Sequence, residues 1–72
     1  MGKKYDESKL LLHHVDEAIA NLHDIVSMCE GARLRNAIDV DVFNTNVHLT
    51  RARTSIENLM GTLYDEETFI GQ

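Results

Sequence analysis

The hydrophobic positions of the chain form two regular series whose steps alternate between three and four residues. The first series is Leu11, Val15, Ala18, Leu22, Ile25, Cys29 and Ala32. The second series is Val42, Leu49, Ala52, Ile56, Leu59 and Leu63, with Thr45 in its one polar position. Such a heptad stripe is typical of a helix that packs along a neighbouring helix. The pattern therefore predicts two long helices, each with one face to be covered.

Helix-start and helix-end signals suggest the boundaries of these elements. Asp6 or Ser8 is suited to cap the N-terminus of a first helix over residues 8–35. Asp39 is suited to cap the N-terminus of a second helix over residues 39–65. The turn between them falls at residues 36–38. We expect residues 1–6 and 66–72 to be frayed. For the C-terminal segment the reason is that the acids at 65–67 oppose the dipole at a helix C-terminus. Gly31 falls on the outer side of the first stripe.

Two long helices joined by a short turn run antiparallel. With the turn near Ala37, the two stripes match along their length, from Leu11 opposite Leu63 to Ala32 opposite Val42. Small residues then face large ones, as at Ala18 and Ile56. The prediction is an all-α fold, an antiparallel and coiled-coil-like two-helix hairpin that forms a single domain over residues 1–72.

Further apolar and aromatic residues lie beside the predicted stripes, on one broad side of the hairpin. We predict that this side binds a partner protein, because aromatic residues, Met and Arg are enriched at interfaces. The alternative is that the aliphatic members only widen the core. The predicted partner-binding residues are Leu12, Ile19, Val26, Phe43, Arg53, Met60 and Tyr64.

Composition narrows the classes of function. The chain has 72 residues, no proline and a formal net charge of −5. An acidic balance argues against nucleic acid and anionic membranes, since both are bound through Lys and Arg. There is no long apolar run for membrane insertion, and the N-terminal residues lack the apolar core of a signal peptide. With one cysteine, Cys29, the chain is expected to be soluble and cytoplasmic.

No arrangement of residues predicts catalysis, a cofactor or a metal site. His13, His14 and Glu17 are close in sequence, but a metal site needs more ligands than this group offers. The arginines 33, 35, 51 and 53 cluster toward the turn, where neighbouring acids are expected to pair with them. Binding of a small ligand by these arginines and histidines remains an alternative. The chain is not expected to be an enzyme.

One set of residues in the second predicted helix has a distinctive spacing: Asp39, Phe43, Asn46, Leu49, Ala52, Glu57-Asn58 and Tyr64. In these residues and their spacing, the helix resembles helix two of the small co-chaperones of bacterial type III secretion systems. The run Leu10-Leu11-Leu12-His13, followed by Glu17-Ala18, is similar to the start of helix one in the same proteins. The resemblance covers residues 10–64. It departs from the family at Val40, which stands where a relative has a helix-starting proline.

The resemblance implies a specific role. Members of this family are helical hairpins that bind and stabilise a second chaperone with a tetratricopeptide-like fold. That pair keeps the needle subunit soluble and unpolymerised in the bacterial cytoplasm before export. The alternative from the residues alone is a non-catalytic, homo-oligomeric four-helix bundle that acts as an adaptor or regulator, and a homodimer is compatible with either reading.

Overall fold

The computed structural model describes residues 2–70, and the side chains of Phe69 and Ile70 lie outside the description. It contains two α-helices, α1 (Lys3–Met28) and α2 (Ala32–Ile70), which pack antiparallel. The hairpin measures 59 × 16 × 9 Å. Its length is that of α2, whose 39 residues rise about 1.5 Å each. The predicted all-α helical hairpin is confirmed.

The turn lies at residues 29–31 rather than at the predicted 36–38. Cys29 is extended, and its N–H donates to the Val26 carbonyl oxygen at 3.2 Å. Gly31 has φ +88°, a conformation that costs a residue with a Cβ but not glycine. Residues 36–38 and Asp39 lie inside α2 instead. The predicted helix boundaries were wrong here because glycine supplied the required backbone geometry and a capping aspartate was not needed.

Both helices continue into the segments expected to be frayed. The helix α1 begins at Lys3, and α2 continues to Ile70. Met1, Gly71 and Gln72, which the same expectation covers, lie outside the described residues. The Gly2 N–H donates to the Glu67 carboxylate at 2.9 Å. Glu67 is unfavourable at the C-terminus of its own helix, but it lies at the positive N-terminus of α1. Each helix therefore gives the other a favourable electrostatic partner at this end.

Three contacts across the hairpin fix the register. They are the Gly2–Glu67 hydrogen bond, the Tyr5–Tyr64 ring contact and the Asp16–Arg53 ion pair. The predicted register placed Asn21 opposite Arg53, whereas the observed partner, Asp16, comes five residues earlier. The shift has the direction expected from the earlier turn, but it is smaller than the displacement of the turn. The first turns of α2 therefore extend beyond the end of α1, and residues 32–37 are all exposed.

The line of contact between the helices also runs along a different part of α1. Leu12, Ile19 and Val26 are half-buried between the helices, whereas Leu11 and Ile25, predicted to be core, are 46% and 50% exposed. This difference corresponds to a rotation of roughly 50° about the helix axis. The predicted stripe was wrong in part, because Ile19 buries more apolar area near the centre than Ala18 would.

The helix α2 is turned in the same sense. Met60 is half-buried, and Leu59 is exposed. Four residues of the predicted stripes also lie on the observed contact line: Val15, Leu22, Ile56 and Leu63. The prediction is therefore correct for the centre of the contact line and wrong at its edges.

Few side chains are removed fully from water. Among the described residues, the buried apolar side chains are Leu22 and Ile56, each 8% exposed. Ser8 is buried as well, and its hydroxyl donates to the Tyr5 carbonyl oxygen at 2.6 Å. A hydroxyl bonded within its own helix can lie in an apolar contact without an unsatisfied group. The hairpin thus has a narrow core.

We expect the substitution Gly31→Ala to lower the free energy of unfolding by about 1 kcal/mol, because alanine is strained at positive φ. No atom lies within 4 Å of the added Cβ, so the effect reports the backbone alone. The matched control is Gly61→Ala in the interior of α2, also with no atom within 4 Å of the added Cβ. It should stabilise by about 0.5–1 kcal/mol. Urea unfolding followed by circular dichroism measures both, and stabilisation by Gly31→Ala would contradict a turn at this position.

A second comparison tests which stripe forms the core. The substitution Leu22→Ala should destabilise by about 2–3 kcal/mol, the lower part of the range for buried leucines. Leu11→Ala should cost less than about 1 kcal/mol, because that side chain keeps much of its exposure when the chain folds. Thermal unfolding at a fixed, low protein concentration measures both values. Equal losses would favour the stripe predicted from the sequence.

Candidate protein-interaction surface

One broad side of the hairpin, here called the grooved face, carries two shallow apolar grooves. The groove nearer the chain termini has a volume of about 490 Å³. Its apolar lining comes from Leu12 of α1 and Met60 of α2, with the Tyr5 and Tyr64 rings at one end. The ring centroids of Tyr5 and Tyr64 are 5.9 Å apart. Two aromatic rings beside aliphatic side chains form a surface suited to an apolar side chain from a partner.

The second groove lies nearer the turn and has a volume of about 400 Å³. It is lined by Leu22 and Val26 of α1 and by Val42, Phe43 and Asn46 of α2. His23 and Asp39 form its polar edge. Both grooves arise because a single contact line cannot fill the space between two cylinders at their flanks.

Arg53 lies between the grooves and joins the two helices. Its guanidinium donates to the Asp16 carboxylate at 2.8 Å and to the Glu57 carboxylate at 2.6 Å. The pKa of Arg53 is raised, first by the hydrogen bond to Asp16 and then by the negative charges of Asp16 and Glu57. The arginine is therefore held in place by two acids, and its charge is largely balanced locally.

The structure brings most of the predicted partner-binding residues together on the grooved face. Leu12, Met60 and Tyr64 line one groove, and Val26 and Phe43 line the other. Arg53 lies between them. Ile19 is half-buried on α1 and lines neither groove.

The seven residues differ in how much of each side chain a partner could reach. Phe43 is 67% exposed and Tyr64 is 45% exposed. Leu12, Ile19, Val26 and Met60 are half-buried and contribute to the packing of the two helices. For the three aliphatic residues of α1, Leu12, Ile19 and Val26, the alternative that they widen the core describes their role within the hairpin. Contact with a partner remains a prediction for all seven residues.

Several residues of the grooved face are not predicted from the sequence. The sequence places Tyr5 in a frayed arm, and it gives no link from Asp16 or Glu57 to Arg53. A signal for Tyr5 was present, since it precedes Leu12 by seven residues and so continues the same stripe. Asp16 could not be found without the correct register, because the pair with Arg53 depends on how the two helices are aligned.

Two of the remaining candidates for ligand binding, His13 and Arg35, make local contacts. His13 pairs with Glu17 on the exposed side of α1, one helical turn apart. In residues 2–70, no group of three or more His, Cys, Asp or Glu is placed to hold a metal ion. Arg35 donates to the Cys29 carbonyl oxygen at 3.0 Å, so it supports the turn. The sequence predicts that this arginine pairs with an acid, whereas its partner in the structure is a backbone carbonyl oxygen.

Neither helix, within the part of the chain that the structure describes, has a stretch long and apolar enough to cross a membrane. Comparisons with known protein families, with curated proteins and with solved structures find no match for this chain.

Proposed function

We propose that this chain is a non-catalytic interaction protein, a helical-hairpin co-chaperone of a type III secretion system. In this role it binds and stabilises a tetratricopeptide-like chaperone in the bacterial cytoplasm. Through that chaperone, it helps to keep the needle subunit soluble and unpolymerised before export. The proposal joins the resemblance of residues 10–64 to a physical feature of the hairpin, which is its unusually small core.

The small core is the observation that carries the proposal. Leu22 and Ile56 are the buried apolar side chains of the described chain, and the apolar side chains around them are covered only in part. Two helices that bury so little area are only marginally stable alone, because the chain entropy lost on folding is nearly as large as the gain. A protein of this kind gains most of its stability by adding the surface of a partner.

The grooved face offers a site for such a partner. Tetratricopeptide-like folds are built from stacked helix pairs with a concave surface that can hold a helix. The exposed rings of Phe43 and Tyr64, one at each groove, are spaced 21 residues apart along α2, about 31 Å. We expect both rings to be anchors, since a few aromatic residues commonly dominate the energy of an interface.

A second candidate is a homo-oligomeric adaptor without a heterotypic partner. It is favoured by the exposed apolar side chains on the face opposite the grooves, among them Leu11, Ile25 and Leu59. The two candidates differ in what stabilises the hairpin. A co-chaperone is stabilised by binding the larger chaperone, whereas an adaptor is stabilised by binding a second copy of the same chain.

The first step of the test is genetic context, to find whether needle and export-apparatus genes lie beside this one. The tetratricopeptide-like chaperone encoded there is then co-expressed with this chain, and the complex is isolated by size exclusion. We expect a complex whose melting temperature is higher than that of either protein alone. The co-chaperone proposal would be contradicted if no complex forms and the chain is instead a stable homodimer that does not bind the chaperone.

The variants Phe43→Ala and Tyr64→Ala test the predicted site. Each should weaken the complex at least tenfold, because an aromatic anchor contributes about 2 kcal/mol or more. The matched control is Leu59→Ala, which removes an apolar side chain that is 45% exposed and lies on the opposite side of α2. Titration calorimetry measures the three affinities. If Leu59→Ala weakens binding as much as the aromatic variants, the partner does not select the grooved face.

A further inference from the structure

The two grooves of the grooved face carry charge of one sign. Within residues 2–70, the charged side chains that line them are all acidic: Glu57 and Asp65 at the groove nearer the termini, and Asp39 at the groove nearer the turn. All three belong to α2. The negative charge therefore lies along the border of the grooves that α2 forms.

The basic side chains close to this border leave two of its acids without a counter-charge. The Arg53 guanidinium is shared between Asp16 and Glu57, so it balances one charge of two. Arg35 lies one helical turn before Asp39 but donates to a backbone carbonyl oxygen instead. Among the described residues, no Lys, Arg or His side chain is within ion-pair distance of Asp39 or Asp65. Their counter-charge has to come from outside the hairpin.

The spacing of the grooves suits a third helix lying along the crease between α1 and α2. Leu12 lines one groove and Val26 the other, two heptads or about 21 Å apart on α1. A helix with a heptad stripe places its own apolar side chains at the same interval, so one stripe enters both grooves. An extended peptide is matched less well, because a helical hairpin has no free strand edge to pair with its backbone.

We propose that the grooved face binds one amphipathic α-helix whose apolar heptad stripe is bordered by Lys or Arg on the side that faces α2. The apolar side chains of this helix fill the two grooves, and its basic side chains lie against Asp39 and Asp65. The formal net charge of the chain, −5, acts in the same direction, because it attracts a basic partner and repels a second copy of the chain.

The inference rests on the proposed function for the position of the partner, and it adds the chemistry of the segment that is bound. The two fail in different ways. The co-chaperone proposal fails if the neighbouring tetratricopeptide-like chaperone forms no complex with the chain. The inference fails if the grooved face does not prefer a basic helix, whatever the outcome with that chaperone.

Two synthetic helices of about three heptads test this preference. Both have leucine at the a and d positions, and the residues that border this stripe are lysine in one peptide and glutamate in the other. We expect the full chain to bind the lysine peptide at least tenfold more tightly at low salt, and the difference to shrink as salt screens the charges. Fluorescence anisotropy of the labelled peptides, kept dilute to prevent self-association, measures both affinities. Equal affinities, or no binding of the lysine peptide, would overturn the inference.

Charge variants of the hairpin then test where the lysine peptide lies. Asp39→Asn combined with Asp65→Asn should weaken its binding about threefold or more, since two surface ion pairs are lost. The matched control, Asp41→Asn combined with Glu66→Gln, removes the same charge from exposed residues of α2 that line neither groove. It should change the affinity less than twofold, and circular dichroism should show the same helix content for both variants. Equal weakening by the two double variants would show attraction by net charge alone and contradict the inference.

Sedimentation equilibrium of the chain alone tests the competing occupant, a second copy. We expect Phe43→Asp to leave the oligomeric state unchanged, because the grooved face is free in the absence of a basic helix. A dimer that this variant dissociates would place a second copy on the grooved face and overturn the inference.

Discussion

The narrow contact between two helices is the constraint on which the rest of this protein depends. A helix has room for one neighbour along each stripe of side chains, and in this hairpin each helix has only one neighbour. Leu22 and Ile56 are buried at the centre of the contact, and the residues on either side are covered in part. The apolar stripe of α1 is wider than the contact, so some of it must remain accessible whichever way the helix is turned.

The rotation of the helices decides which residues remain accessible. The observed packing turns Leu12, Ile19 and Val26 inward and leaves Leu11 and Ile25 at the surface. Two different surfaces result. The grooved face combines exposed aromatic rings with a cluster of paired charges, and the opposite side has apolar side chains close to half-exposed. A hairpin with so narrow a core thus keeps apolar side chains accessible on both of its broad sides.

The ends of the hairpin show how electrostatics and backbone geometry fix the alignment along its length. Gly31 sets the turn because its positive φ suits glycine. At the opposite end, Glu67 accepts a hydrogen bond from the Gly2 N–H and places negative charge at the start of α1. Arg53 holds the middle through Asp16 and Glu57. These contacts leave little freedom for the helices to slide past each other.

The sequence by itself determined the all-α hairpin, because heptad spacing on two segments without proline has few other solutions. It also determined the apolar character of the grooved face, since the heptad positions of Phe43, Met60 and Tyr64 put them on one side. The turn was predicted at the wrong place, because several short segments could reverse the chain and only the backbone conformation distinguishes them. The side of α1 that packs against α2 was decided by the tertiary structure. Both candidate stripes are apolar, and the choice depends on which one removes more area from water once the helices are paired.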